Sequence, residues 1–226
     1  MIYRPQEYLR LGLAIHTPTY MILKDTRTTM FVTEVENPVQ VFDVKSERFT
    51  NDQPGESKYT QLTPFKAVIS ASYVFREVEN TKKQRAFITA DIEYVHHKGS
   101  RFYSNNDEPT AGEKAYYRAL GNVVKRDYKG AFNFRVGGEL KFNIIMARLG
   151  FAYYGNPYKD AGYKANRMLL SGGLGYRNKG MFIDLTYVHA ISKDVDFPYR
   201  LEDRANTYAM LKQQRGNIVA TMGFKF

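Results

Sequence analysis

The 226-residue chain contains no cysteine and no tryptophan. Without cysteine there is no disulfide framework, as suits an envelope protein as well as many cytosolic ones. No uninterrupted apolar run approaches the roughly 20 residues that a transmembrane helix requires. The amino end, Met1-Ile2-Tyr3-Arg4-Pro5-Gln6-Glu7, has neither the apolar stretch nor the small-residue cleavage site of a signal peptide. An exported protein with this start is expected to be a mature form or a fragment. Metal-ligand spacing is absent too: His16, His96, His97 and His189 form no His-Glu-x-x-His pattern, so no metal is expected. No serine motif accompanies them. A lipase-like role for His189 therefore lacks a nucleophile, and the chain is read as no enzyme, with no cofactor.

Positive charge is in excess, 33 Lys+Arg against 23 Asp+Glu, a net +10. The cations are scattered through turns and loops, as in Lys82-Lys83, Lys98, Arg101, Lys125-Arg126 and Arg200. No strand or helix carries a continuous basic stripe, which argues against nucleic acid. Basic loops suit anionic lipid headgroups instead.

What the chain does have is alternation. At the carboxyl end Ile218, Ala220, Met222, Phe224 and Phe226 occupy every second position, against Asn217, Val219, Thr221, Gly223 and Lys225. Successive strand side chains point to opposite faces, so this strand has one apolar and one polar or small face. Eighteen Tyr and 15 Phe supply strand propensity, and Tyr suits a boundary between water and an apolar phase. The mean hydropathy of −0.48 is compatible with a membrane barrel, where only alternate residues face lipid.

Eight strands follow from this pattern. They run from Tyr8 to His16, Tyr59 to Arg76, Ala86 to His96, Ala131 to Lys141, Ile144 to Tyr154, Met168 to Arg177, Met181 to Ile191, and from about Thr207 to the end. The first breaks at Thr17-Pro18-Thr19 and resumes around Thr28 to Val35. Short turns at Lys141-Phe142-Asn143 and Asn178-Lys179 contrast with long polar connections at Glu36–Lys58, Lys98–Lys129, Gly155–Arg167 and Ser192–Asn206. This asymmetry belongs to outer-membrane barrels, with short turns inside and long loops outside. The longest connection offers a weak helical pattern over Glu113–Val124. Aromatics fall near strand ends, Tyr73, Phe75 and Tyr176 at the short turns and Tyr94, Tyr153, Tyr154 and Tyr187 at the loops, as two interfacial belts would. The expectation is an all-β, antiparallel, meandering transmembrane β-barrel of about eight strands, one domain over residues 1–226, forming part of a larger barrel in a Gram-negative outer membrane.

Asp91, Glu93, Arg135, Glu139, Arg148 and Asp184 share the non-lipid parity. Facing lipid they would be costly, so they are expected to line the interior. There they form ion pairs that hold the wall, or Arg135 or Arg148 meets a substrate carboxylate in two-pronged geometry. Gly137, Gly150, Gly173 and Gly175 lie on the same face and leave room there. Pro18 removes a ladder donor, giving a bend or a lateral gap toward lipid.

Several stretches in order resemble one family. They are Arg10-Leu11-Gly12-Leu13-Ala14-Ile15-His16-Thr17-Pro18-Thr19-Tyr20, Gln61-Leu62-Thr63-Pro64-Phe65, Ala90-Asp91-Ile92-Glu93-Tyr94-Val95, Gly150-Phe151-Ala152-Tyr153-Tyr154-Gly155-Asn156-Pro157-Tyr158 and Ser171-Gly172-Gly173-Leu174-Gly175-Tyr176-Arg177, with the closing Met222-Gly223-Phe224-Lys225-Phe226. Together they resemble the carboxyl-terminal portion of the FadL/TodX family of long-chain fatty acid and aromatic hydrocarbon transporters, some of whose members are labelled haemin receptors. The resemblance implies a barrel of about fourteen strands with an amino-terminal plug. Against that pattern the chain offers eight strands and no plug and is expected to be a truncated member, so no binding residue is carried over. The implied function is passive passage of hydrophobic small molecules. Membrane lipid is the implied partner, with lipopolysaccharide a further candidate. The rival is a scaffold barrel that anchors a secretion or surface complex through its loops.

Overall fold

A computed structural model describes residues 1–36, 39–75, 85–199 and 206–224. Arg76, Lys82, Lys83, Arg200, Lys225 and Phe226 lie outside these residues. In chain order the elements are β1 (Ile2–Gln6), β2 (Leu9–His16), β3 (Tyr20–Arg27), β4 (Met30–Glu36), β5 (Val39–Lys45), β6 (Gly55–Leu62), β7 (Lys66–Phe75), β8 (Ala86–His96), β9 (Arg101–Ser104), α1 (Ala111–Asp127), β10 (Gly130–Phe142), β11 (Ile145–Tyr154), β12 (Arg167–Asn178), β13 (Met181–Asp196) and β14 (Ala209–Phe224).

The chain divides into two compact units. Residues 1–18, 64–99 and 125–226 form the first, and residues 19–63 and 100–124 the second. The first holds a nine-stranded sheet in the order β1-β2-β7-β8-β10-β11-β12-β13-β14, each neighbouring pair antiparallel. Eight of these strands are those expected from alternation. The ninth, β1, comes from the amino end and carries Pro5 within a shift in register.

The short turns are two-residue loops. Phe142↔Ile145 and Asn178↔Met181 close them. Asn143 (φ 53°), Lys179 (φ 43°) and Gly180 (φ 86°) take the left-handed backbone that twisted hairpins need.

The expected strand from Tyr59 to Arg76 is two strands, β6 and β7, divided at Thr63-Pro64-Phe65. Proline explains the break. The β2–β7 ladder ends at His16↔Lys66 and the β3–β6 ladder begins at Tyr20↔Leu62, so Pro18 and Pro64 fall opposite one another and neither can donate.

The second unit contains a β3-β6-β9 sheet, a β4–β5 hairpin and most of α1. The long polar connections thus carry structure: the strand expected around Thr28 to Val35 is β4, and the helical pattern over Glu113–Val124 lies within α1. Thr110 and Glu113 cap α1 reciprocally: Thr110 N donates to Glu113 Oε2 (2.9 Å) and Glu113 N to Thr110 Oγ1 (3.1 Å). Lys125 and Arg126 in its last turn suit the helix dipole. Tyr59 anchors this unit, its ring near Phe102 (6.4 Å) and Tyr117 (6.3 Å), its hydroxyl donating to Asp25 Oδ2 at 2.9 Å. The carboxylate that accepts this bond holds the phenol above its usual pKa.

Candidate functional site: the charged face of the wall

The nine-stranded sheet has inverted polarity. On the face carrying alternate apolar residues, Leu149 is 76% exposed, Ile218 74% and Met222 65%. On the other face Asn133 is only 6% exposed, and the side chains of Glu93 and Asp184 expose 14% and 18%. A water-soluble sheet would bury the first set and hydrate the second.

The six expected interior residues form two networks. In the first, Arg135 on β10 stands directly opposite Asp91 on β8, and Asn133 opposite Glu93. Arg135 Nη2 donates to Glu93 Oε2 (2.9 Å), while its Nε lies 3.9 Å from Asp91 Oδ2 and lacks a hydrogen-bond acceptor. Asn133 Nδ2 donates to the other Glu93 oxygen (2.6 Å), and Asn133 Oδ1 accepts from Gly155 N (3.1 Å). Asn133 therefore ties the network to the start of the β11–β12 loop. Asn133 has the same parity as Arg135 and is not among the six charged residues singled out from the sequence; its amide is the neutral partner of the facing Glu93.

In the second network Arg148 on β11 donates from Nε to Glu139 Oε2 (2.5 Å) and from Nη1 to Asp184 Oδ1 (2.6 Å). Glu139 is its neighbour on β10, but Asp184 lies two strands away on β13. The arm crosses β12 over Gly173, which pairs with Arg148, and Gly175, which pairs with Asp184. A Cβ at Gly173 would lie 2.7 Å from Thr186 Oγ1 and 3.0 Å from Leu185 O, and one at Gly175 would collide with Asp184 Oδ1. At both glycines the space a side chain would need is taken by residues of the neighbouring strands, Thr186 and Leu185 at Gly173, and Asp184 and Met146 at Gly175.

Between the networks a row of small residues, Thr89, Gly137, Gly150 and Ser171, crosses four adjacent strands. Toward the loops a cavity of about 670 Å³ is lined by Tyr154, Tyr158, Arg167, Asp194 and His97 among others. Burial pushes the His97 imidazole below its ordinary pKa, and the Lys66 ammonium adds to this. Pro18 stands apart from both networks, between β2 and β3. Among the described residues no group of three or more His, Asp or Glu could hold a metal ion.

An antiparallel meander with an exposed apolar face and an ion-paired opposite face is a wall of the outer-membrane β-barrel class. Comparison with solved structures agrees. The crystal structure of the P. putida toluene transporter TodX matches 100% of this chain and 47% of its own, with a TM-score of 0.53 and 14% sequence identity. The chain spans about half the length of that transporter, and the likeness is one of fold. The fold expected from the family resemblance is the fold found. No protein-family model and no curated protein sequence matches the chain.

Proposed function

We propose that the chain forms part of an outer-membrane barrel that passes a hydrophobic small molecule, a fatty acid or an aromatic hydrocarbon, without catalysis or cofactor. The observation that carries this reading is the inverted sheet. Its exterior suits lipid, and its interior combines two ion-pair networks with a row of small side chains between them. Arg135 and Arg148 already hold carboxylates, so their role in this proposal is to brace the wall, and solute moves past the small row. The fold shared with a toluene transporter supports the reading.

One observation favours the scaffold alternative. The β4–β5 hairpin leaves Phe31 65% exposed, Phe42 48% and Val35 43%, all on one face of a two-stranded ribbon that is marginal alone.

Uptake of labelled toluene and of a labelled long-chain fatty acid separates the two readings, in cells lacking their own carriers and with surface folding checked independently. Faster uptake of either solute supports transport. Unchanged uptake by a folded, surface-displayed protein, with a stoichiometric protein partner on purification, supports the scaffold.

A further inference from the structure

The sequence Tyr-Val-His occurs twice, at Tyr94-Val95-His96 and Tyr187-Val188-His189. In both copies Tyr and His share the apolar face, and the hydroxyl meets His Nδ1, at 3.2 Å and 3.0 Å. A glycine stands opposite each histidine, Gly130↔His96 and Gly216↔His189. A Cβ on Gly130 would strike the Tyr94 ring, 2.6 Å from Cζ, and one on Gly216 would lie 2.7 Å from the Tyr187 hydroxyl. Each tyrosine therefore lies across a bare patch of the neighbouring strand, a device that repairs the loss of cross-strand packing at glycine.

The two copies differ in their surroundings. Phe132 packs on Tyr94 at 5.1 Å. Tyr187 and His189 instead close one end of an apolar groove of about 860 Å³, within the roughly 300–1,000 Å³ of ligand sites. The groove follows one ladder row, Tyr187–Gly172–Leu149–Gly138–Ile88, and the missing side chains of Gly172 and Gly138 deepen it on both sides of Leu149.

Register gives the groove a direction. The closing pair Phe142↔Ile145 of one short turn continues to Tyr176, two residues before Asn178, which closes the next short turn two strands on. The strands therefore step by one residue per strand, and a rise of about 3.3 Å against a spacing of about 4.8 Å gives a tilt near 35°. Tyr187 and His189 lie six and eight residues from Met181. This tilt places them roughly 16–22 Å above the short turns, near the far boundary of an apolar band about 25 Å tall. From there the row descends toward β8 and the bilayer interior.

Beyond His189 on the same parity, Lys193 and Lys212 pair directly across β13 and β14. Like charges in that position repel, and neither lysine has an acidic partner among the described residues. An imidazole, two ammonium groups above it without an acidic partner among the described residues, and an apolar trough below it match an amphiphile with a strongly anionic head and an acyl tail.

We infer that this strip of the outer wall binds lipid A of the loop-side leaflet, one acyl chain lying in the Gly172–Gly138 groove and a phosphate at Lys193, Lys212 and His189. The inference rests on the membrane reading above and adds to it a fixed lipid site on the outside of the barrel.

Native mass spectrometry of the detergent-solubilised protein, titrated with lipid A or with phosphatidylglycerol, tests it. One lipid A per chain is expected, retained against excess phosphatidylglycerol. Gly172→Leu fills the groove without a backbone clash, since a Cβ there would lie 3.6 Å from Leu149 Cδ2. It should weaken binding by about tenfold, as should the double change Lys193→Gln/Lys212→Gln. His96→Ala, in the copy without a groove, should leave binding unchanged. Equal retention of phosphatidylglycerol, or undiminished lipid A in the groove and lysine variants, overturns the inference. Insertion into vesicles, read by protease protection, separates the two levels: an inserted protein without lipid A loses only this site, whereas a protein that never inserts loses the membrane reading as well.

Discussion

Replacing Arg148 by Met removes one cation and leaves two acids. Glu139 and Asp184 each expose 18% of their side chains, and Arg148 exposes 33%. Breaking a fully buried pair from one side costs about 3–5 kcal/mol, because the remaining charge stays desolvated. Partial water access lowers this to about 2–3 kcal/mol here, even with two carboxylates stranded. For a urea dependence of about 1–3 kcal/mol per molar, the unfolding midpoint in lipid vesicles should fall by roughly 0.7–3 M. Far-UV circular dichroism against urea measures it. The triple variant Arg148→Met/Glu139→Gln/Asp184→Asn, which strands no charge, should recover most of the loss. Uptake of carboxylate and uncharged solutes should keep its ratio. A midpoint shift below about 0.3 M refutes the bracing role, given the m-values above. So does a triple variant as weak as the single one. Loss of carboxylate uptake alone makes Arg148 a ligand contact.

His97 has its pKa lowered by burial first and by Lys66 second, against the opposing pull of Glu93. Its stabilising contribution is thus present above the unfolded value near 6.5 and is lost as pH falls from there through the folded value. Urea midpoints at pH 7.5 and pH 5 should therefore differ less for His97→Gln than for the unmodified protein, and an equal difference counts against the assignment. Gly130→Ala drives a methyl into the Tyr94 ring and should cost about 1–3 kcal/mol on the same urea assay. No loss would mean the tyrosine is not packed there. Pro18→Val/Pro64→Val restores both missing donors at the break in the ladder. If that break is a lateral passage, uptake slows while folding is kept, and unchanged uptake removes Pro18 from the path.

Alternation made the wall legible because one face meets an apolar phase and the other does not, so eight of its nine strands stand out in the sequence. β1 did not, since Pro5 and an irregular register erase the period of two. The long connections were legible in part: the strand resuming around Thr28 to Val35 is β4, and the helical pattern over Glu113–Val124 lies within α1, whereas β3, β5 and β9 did not stand out. β5 places the exposed Val41 and Phe42 side by side, which interrupts the period of two. α1 has little apolar periodicity, yet Thr110-Ala111-Gly112-Glu113 is a capping box that marks its start without any core pattern. Parity also assigned the six charged residues to one face. It could not show that they separate into two networks, because Arg148 pairs with Asp184 two strands away, a contact that parity does not encode.

Strand tilt settles what parity leaves open about the aromatics. Tyr73 and Tyr187 lie on one ladder row, through Ile88, Gly138, Leu149 and Gly172. An untilted sheet would put them at one height, against their assignment to opposite belts. Five strand steps separate them, and a shift of one residue per strand raises Tyr187 by roughly 14 Å over Tyr73. Tyr94 pairs with Ala67, eight residues along β7 from Phe75, and one strand step makes the offset nine residues, about 24 Å in height. That matches an apolar band about 25 Å tall bounded by aromatic girdles. The same tilt carries the Tyr187–His189 groove downward into the band instead of around the barrel at constant depth. A lipid head at the loop-side boundary can therefore send its chain along the row only because the strands lean.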